Sequence, residues 1–103
     1  AAIESVKVFD APAGTMVSPS FGHIFSGGYA AGYYGYKWAE VLDADAFAAF
    51  LETGNIYDKK TAAKFLKMLQ SGNTQDPAVL YEQFRGRPAT VDALLIRDGI
   101  KKK

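Results

Sequence analysis

Four glycines divide the second half of this sequence and limit what it can fold into. Gly54, Gly72, Gly86 and Gly99 each follow a stretch in which apolar residues recur mostly at three- and four-residue steps. That is the period of one helix face, and glycine is the residue that most readily closes a helix. The first stretch runs through Ala31, Tyr34, Trp38, Val41, Leu42 and Ala46 to Phe47, Phe50 and Leu51. Three shorter ones follow: Ala62, Phe65, Leu66 and Leu69; Leu80, Tyr81 and Phe84; Val91, Leu94 and Leu95. Their starts are marked as well. Asp58 or Thr61 can cap the second stretch, Asp76-Pro77 gives the third a cap and a proline at the first helical position, and Thr90 can cap the fourth. The pattern predicts a mainly α fold: a short helical array with one long glycine-containing helix from about Tyr29, and an irregular N-terminal arm. No repeat or linker interrupts it, so residues 1–103 read as a single segment.

The arm is less regular. Ile3 to Phe9 alternates weakly, as a short strand or an extended arm would, and Ala11 to Ser20 is a loop punctuated by Pro12, Gly14 and Pro19. Gly27-Gly28 marks flexible backbone that tolerates positive φ angles. Gly32 and Gly35 fall inside the expected long helix, where each costs about 1 kcal/mol against alanine. Apart from His23, Ala11 to Tyr36 is free of charge and long enough to span a membrane. Its prolines, serines, histidine, tyrosines and glycines argue against that reading, so no membrane partner is expected.

Hydrophobic residues make up 49% and charged residues 22%, a globular composition, but a chain this short buries only a modest core. A net charge of +1 gives no electrostatic reason for a nucleic-acid partner. The lysines (Lys59, Lys60, Lys64, Lys67 and the tail) also lie away from the tyrosines, so stacking beside basic side chains is not expected. There is no cysteine, hence no disulfide. Glu40, Asp43 and Asp45 read as solvated charges or caps. The start at Ala1 without an initiator methionine, and a glycine-rich stretch more elaborate than a lone small domain needs, suggest a piece of a longer protein.

Tyr29, Tyr33 and Tyr36 carry the chemistry. On a continuous helix they stand at i, i+4 and i+7 and share one face, covering roughly 10 Å at 1.5 Å rise per residue. Gly32 and Gly35 flank them with no side chains, and Gly27-Gly28 forms a hinge preceded by His23. A phenol with its usual pKa near 10 is protonated at neutral pH and can donate a hydrogen bond, including to the oxyanion formed when water attacks a peptide carbonyl. Spacing alone more often describes packed tyrosines with satisfied hydroxyls.

The run from Phe21-Gly22-His23-Ile24-Phe25-Ser26-Gly27-Gly28-Tyr29 through Tyr33-Tyr34-Gly35-Tyr36-Lys37-Trp38 to Phe50 resembles the signature downstream of the active-site helix in zinc metallopeptidases of the thimet oligopeptidase and peptidyl-dipeptidase family. The resemblance continues in Leu69 to Gly72, Phe84-Arg85-Gly86-Arg87, Asp92-Ala93-Leu94-Leu95 and Gly99-Ile100. It implies that the chain is the C-terminal part of a larger, cytoplasmic catalytic domain that hydrolyses short peptides through a zinc-bound water. Tyr36 then matches the donor to the oxyanion, and Tyr29 the mobile-loop tyrosine that reaches substrate on closure. Tyr33 and His23 match substrate-contacting positions, and Gly27 and Gly28 the flexible loop. Endopeptidase and dipeptidyl carboxypeptidase activity both stay open.

The family's zinc motif, H-E-x-x-H with a further glutamate, has no counterpart here. The chain holds one histidine, so it supplies no metal ligand set, and zinc is expected only in the full-length enzyme. At Arg87-Pro88-Ala89 the family pattern has an acidic residue before proline, and the corner reads as a helix-terminating turn. The expected partners are a peptide substrate and the remainder of the catalytic domain. Alone, the chain is expected to be inactive and, with Phe25, Tyr34 and Trp38 uncovered, to self-associate. The alternative is a stand-alone, non-catalytic peptide-binding or interaction module.

Overall fold

Each predicted glycine stop stands one or two residues past the end of a helix, with a positive φ, in the computed structural model, which describes residues 6–102. A 3-10 turn at Ser18–Ser20 is followed by five helices: α1 (Gly22–Phe25), α2 (Gly35–Glu52), α3 (Lys59–Gln70), α4 (Pro77–Arg85) and α5 (Asp92–Arg97). There is no strand among the described residues, and none of the described helices is long and apolar enough to cross a membrane. Ile3 to Ser5 of the expected strand or arm lie outside the described residues, and residues 6–9 are exposed without strand geometry. The chain divides into two compact units, one ending at Tyr33 and the other beginning at Tyr34.

In the second unit, α5 packs along α2 and α3 along α4. Two small clusters form the core. Val41, Ala44 and Leu94 are buried together with Ala93 against them. Ala46, Tyr81 and Phe84 are buried with Leu42, Ala49, Phe50, Phe65, Met68 and Ala89 around them. The second cluster ties α2, α3 and α4 through edge-to-face and tilted rings, Phe50 on Phe65 and Phe65 on Phe84, geometries that suit aromatic quadrupoles.

The caps follow local chemistry. The Asp58 carboxylate accepts from the Thr61 amide at 2.7 Å, and the Asp76 carboxylate from the Ala78 amide at 2.8 Å, with Pro77 next in line. At the end of α4, Gly86 takes φ +79° and its N–H reaches the Glu82 carbonyl at 2.7 Å. A side chain there would meet its own carbonyl in this left-handed conformation.

Three expectations are corrected. The long helix begins at Gly35 rather than near Tyr29. Four glycines between 27 and 35 weaken helix there, and Gly32 N–H instead bonds the Tyr29 carbonyl in a tight turn. Thr90 does not cap α5: Val91 stands at that position without a side-chain bond. On α3, Phe65 and Met68 turn inward, while Ala62, Leu66 and Leu69 are exposed. Among the described helices α3 packs mainly against α4, which leaves the neighbouring stripe uncovered.

Candidate functional site

In the first unit, α1 and the turns after it gather most of the residues singled out above. The His23 ring lies 5.9 Å from Tyr29 and 5.6 Å from Tyr33, the latter edge-on. Phe21 stands 4.8 Å from Tyr33, also edge-on, and 6.0 Å from His23. These centroid distances are those of attractive aromatic pairs. Tyr29 and Tyr33 remain 44% and 41% exposed, so the cluster keeps ring surface at the solvent.

Gly27 and Gly28 differ. Neither takes a positive φ, so the expected conformational reason for glycine does not hold here. The reason at Gly27 is space: a Cβ there would stand 3.1 Å from the His23 carbonyl oxygen and 3.4 Å from that of Gly22. Those two carbonyls accept from the amides of Tyr29, at 3.3 Å, and Ser26, at 2.8 Å. At Gly28 nothing lies within 4 Å of an added Cβ.

Tyr36 belongs to the second unit, where it is the second residue of α2 and 45% exposed. Tyr29 and Tyr33 precede that helix, so the three tyrosines do not form one stripe along a single helix.

The second unit holds a charged centre that sequence reasoning missed. Asp45, read as a solvated charge, is 0% exposed. Arg87 grips its carboxylate with two N–H groups, Nη2 to Oδ1 at 2.6 Å and Nη1 to Oδ2 at 3.2 Å. The Tyr81 hydroxyl donates to Oδ2 at 2.7 Å. Arg85 Nε donates to the Asp45 backbone carbonyl at 3.1 Å and stands 3.5 Å from Oδ2. The same Arg85 holds the Glu52 carboxylate with both terminal nitrogens. No buried side-chain nitrogen or oxygen among the described residues lacks a partner.

Burial pushes the Asp45 carboxyl up, but the bonds from Arg87 and Tyr81 and the charges of both arginines outweigh it and hold it below the usual carboxylate range. Burial first, and then the bond to Asp45, raise the Tyr81 phenol above its usual range. The hydrogen bonds from Arg85 hold Glu52 down. The signal in the sequence was an acidic residue at the inward spacing, four after Val41 and three after Leu42, together with two arginines, Arg85 at the end of α4 and Arg87 just beyond it. The Arg87 corner, expected to be a plain turn, is half of this ion pair.

A cleft of about 730 Å³ opens on the Asp45 side of α2, lined by Phe47, Leu51, Arg87, Ile96 and Arg97 among others, and includes none of the tyrosines. Among the described residues no group of three or more His, Cys, Asp or Glu is placed to hold a metal ion. His23, the single histidine, is packed against phenol and phenyl rings. These residues do not fit a zinc site.

Comparison with known families gives the class: the model of peptidase family M3 matches residues 3–100, and the chain belongs to that family. It is 46% identical to Oligopeptidase A of Escherichia coli (strain K12) over 97 residues, 93% of this chain and 14% of that protein. It is 52% identical to Oligopeptidase A of Haemophilus influenzae over 82 residues, 79% of this chain and 12% of that protein. Similarity to the Dipeptidyl carboxypeptidase of E. coli is 38% over 84 residues, 81% of this chain and 12% of that one. The chain therefore spans 12% to 14% of the length of these relatives.

Proposed function

We propose that the 103 residues act as a single segment of the catalytic domain of a cytoplasmic zinc oligopeptidase, to which they contribute substrate-contacting and oxyanion-stabilising groups. The observation that carries this reading is the His23–Tyr29–Tyr33 cluster, half-exposed on short turns in a chain matched to a peptidase family over residues 3–100. Higher identity to Oligopeptidase A than to Dipeptidyl carboxypeptidase supports the oligopeptidase form. In this reading Tyr36 donates to the oxyanion and Tyr29 reaches the substrate on closure. Tyr33 and His23 line the peptide's path, and Gly27-Gly28 belong to the loop that moves. The metal is held by residues outside this chain.

The remainder of the catalytic domain is the proposed partner. Trp38, Phe47, Leu51 and Leu69 are each half-exposed or more, an apolar surface that monomers usually cover. Left uncovered, it would drive self-association of the isolated chain, which light scattering would register.

The test is Tyr36→Phe in the whole enzyme. Loss of one oxyanion donor is expected to lower kcat about 100- to 1000-fold with stability unchanged. An unchanged kcat overturns the role. The isolated chain, assayed with zinc and a short peptide, is expected to show no cleavage, and metal-dependent cleavage by it would overturn the division of labour.

A further inference from the structure

We propose that Asp45 is a positioning residue: gripped by Arg87, Tyr81 and Arg85, it fixes the rotation of α2 about its own axis and so presents Tyr36 on the opposite face. This rests on the reading of Tyr36 given above.

The hydrophobic pattern of α2 does not set that rotation by itself. Between Tyr36 and Glu52, alanines stand at 39, 44, 46, 48 and 49, and larger apolar residues at 38, 41, 42, 47, 50 and 51. They surround the axis, and Trp38, Phe47 and Leu51 stay about half-exposed at 52%, 50% and 52%. Apolar side chains spread around the axis, many of them alanines, give α2 no single dominant apolar stripe to fix its rotation. Nor does its N-terminal end fix it, since Tyr34 offers no side-chain cap.

The ion pair does select one setting. Asp45 is wholly enclosed with each carboxylate oxygen bonded. Any rotation that pulled it away would leave a buried charge uncompensated, a cost of several kcal/mol. Specifying register is the best-attested use of such buried polar groups. The grip has two points. Arg85 bonds the Asp45 carbonyl and also the Glu52 carboxylate, which lies seven residues on, about two turns and 10 Å along the same face. Two points on one face resist sliding as well as rotation.

Tyr36 lies nine residues before Asp45. At 3.6 residues per turn that is two and a half turns, about 180° around the axis. The enclosure of Asp45 and the half-exposure of Tyr36 agree with this opposition. A rotation of about 20° moves a side-chain tip at a radius of about 6 Å by about 2 Å, more than the roughly 1 Å misplacement that can cost 100-fold in rate.

The experiment is a double-mutant cycle in the whole enzyme, with Tyr36→Phe, Asp45→Asn and the pair, reading kcat, KM and the thermal midpoint. Asp45→Asn is expected to lower kcat about 10-fold or more with KM little changed, and to add less than about 2-fold in the Tyr36→Phe background. An equal fold-loss from Asp45→Asn in both backgrounds overturns the positioning role and leaves the role of Tyr36 intact. A Tyr36→Phe enzyme with full kcat overturns both. If Asp45→Asn fails to fold, Tyr81→Phe, which deletes one hydroxyl, carries the same cycle. Its loss, about 3-fold, should likewise vanish in the Tyr36→Phe background.

Discussion

Residues 6–33 hold no buried side chain, whereas residues 34–102 bury Val41, Ala44, Asp45, Ala46, Leu80, Tyr81, Phe84 and Leu94. The first region is held by ring edges and short-range backbone bonds around α1. The second is held by two apolar clusters and a buried ion pair. Binding segments are drawn from the less stable parts of a fold because they must adapt. This fits the proposed function, in which the His23–Tyr33 region contacts the peptide and the helical array supplies the frame that offers Tyr36.

The comparison breaks most visibly through Asp45. Asp45→Ala in the 103-residue chain is expected to cost about 3 kcal/mol, the low end for a broken buried pair, because Arg87 is 39% exposed and can hydrate while Arg85 keeps Glu52. His23→Ala should cost less than about 0.5 kcal/mol, as exposed sites usually do. Urea unfolding followed by circular dichroism ranks the two, and a larger loss at His23 would invert the assignment of frame and site.

Acid titration is the next largest probe. Asp45 and Glu52 both have folded-state carboxyls held below their ordinary range. Their contribution is therefore complete above the unfolded values, about 4, and is lost as pH falls through the lower folded values. The urea midpoint should be flat from about pH 5 to 7 and fall below about pH 4. The gap between the native chain and Asp45→Ala should narrow over that same fall. A gap that widened with acid would mean that the folded-state Asp45 carboxyl lies above, not below, its ordinary range.

The frame was more legible in the sequence than the site's geometry. Asp58, Asp76-Pro77 and the four glycine stops act within a few residues of themselves, so local chemistry decides them. The tyrosine spacing was misleading because it assumed a helix that Gly28, Gly32 and their neighbours do not sustain. The aromatic cluster instead forms from α1 and a turn, through ring contacts up to twelve residues apart, Phe21 to Tyr33. Asp45 was misread for a related reason. Its partners lie 36 to 42 residues away, and an inward spacing from Val41 and Leu42 does not by itself reveal the arginine and phenol that let a carboxylate be enclosed. Asp43, two residues earlier, pairs with Arg97 at 2.8 Å and stays largely exposed.

Gly27 and Gly28 sharpen the comparison at its finest scale. A methyl at Gly27 presses on the carbonyls of His23 and Gly22, which accept the amides of Tyr29 and Ser26. Each of those bonds is worth about 1 kcal/mol net. Gly27→Ala should therefore raise hydrogen exchange at those two amides by up to about 10-fold, while the unfolding midpoint, set by the other unit, stays put. Gly28→Ala meets nothing and requires no positive φ, so it should leave both amides as they are and slightly restrict the unfolded chain. Equal exchange in the two variants would mean that the turn holding Tyr29 beside His23 does not depend on the close approach at Gly27. An unfolding midpoint that dropped with Gly27→Ala would mean that the first unit carries part of the frame's stability.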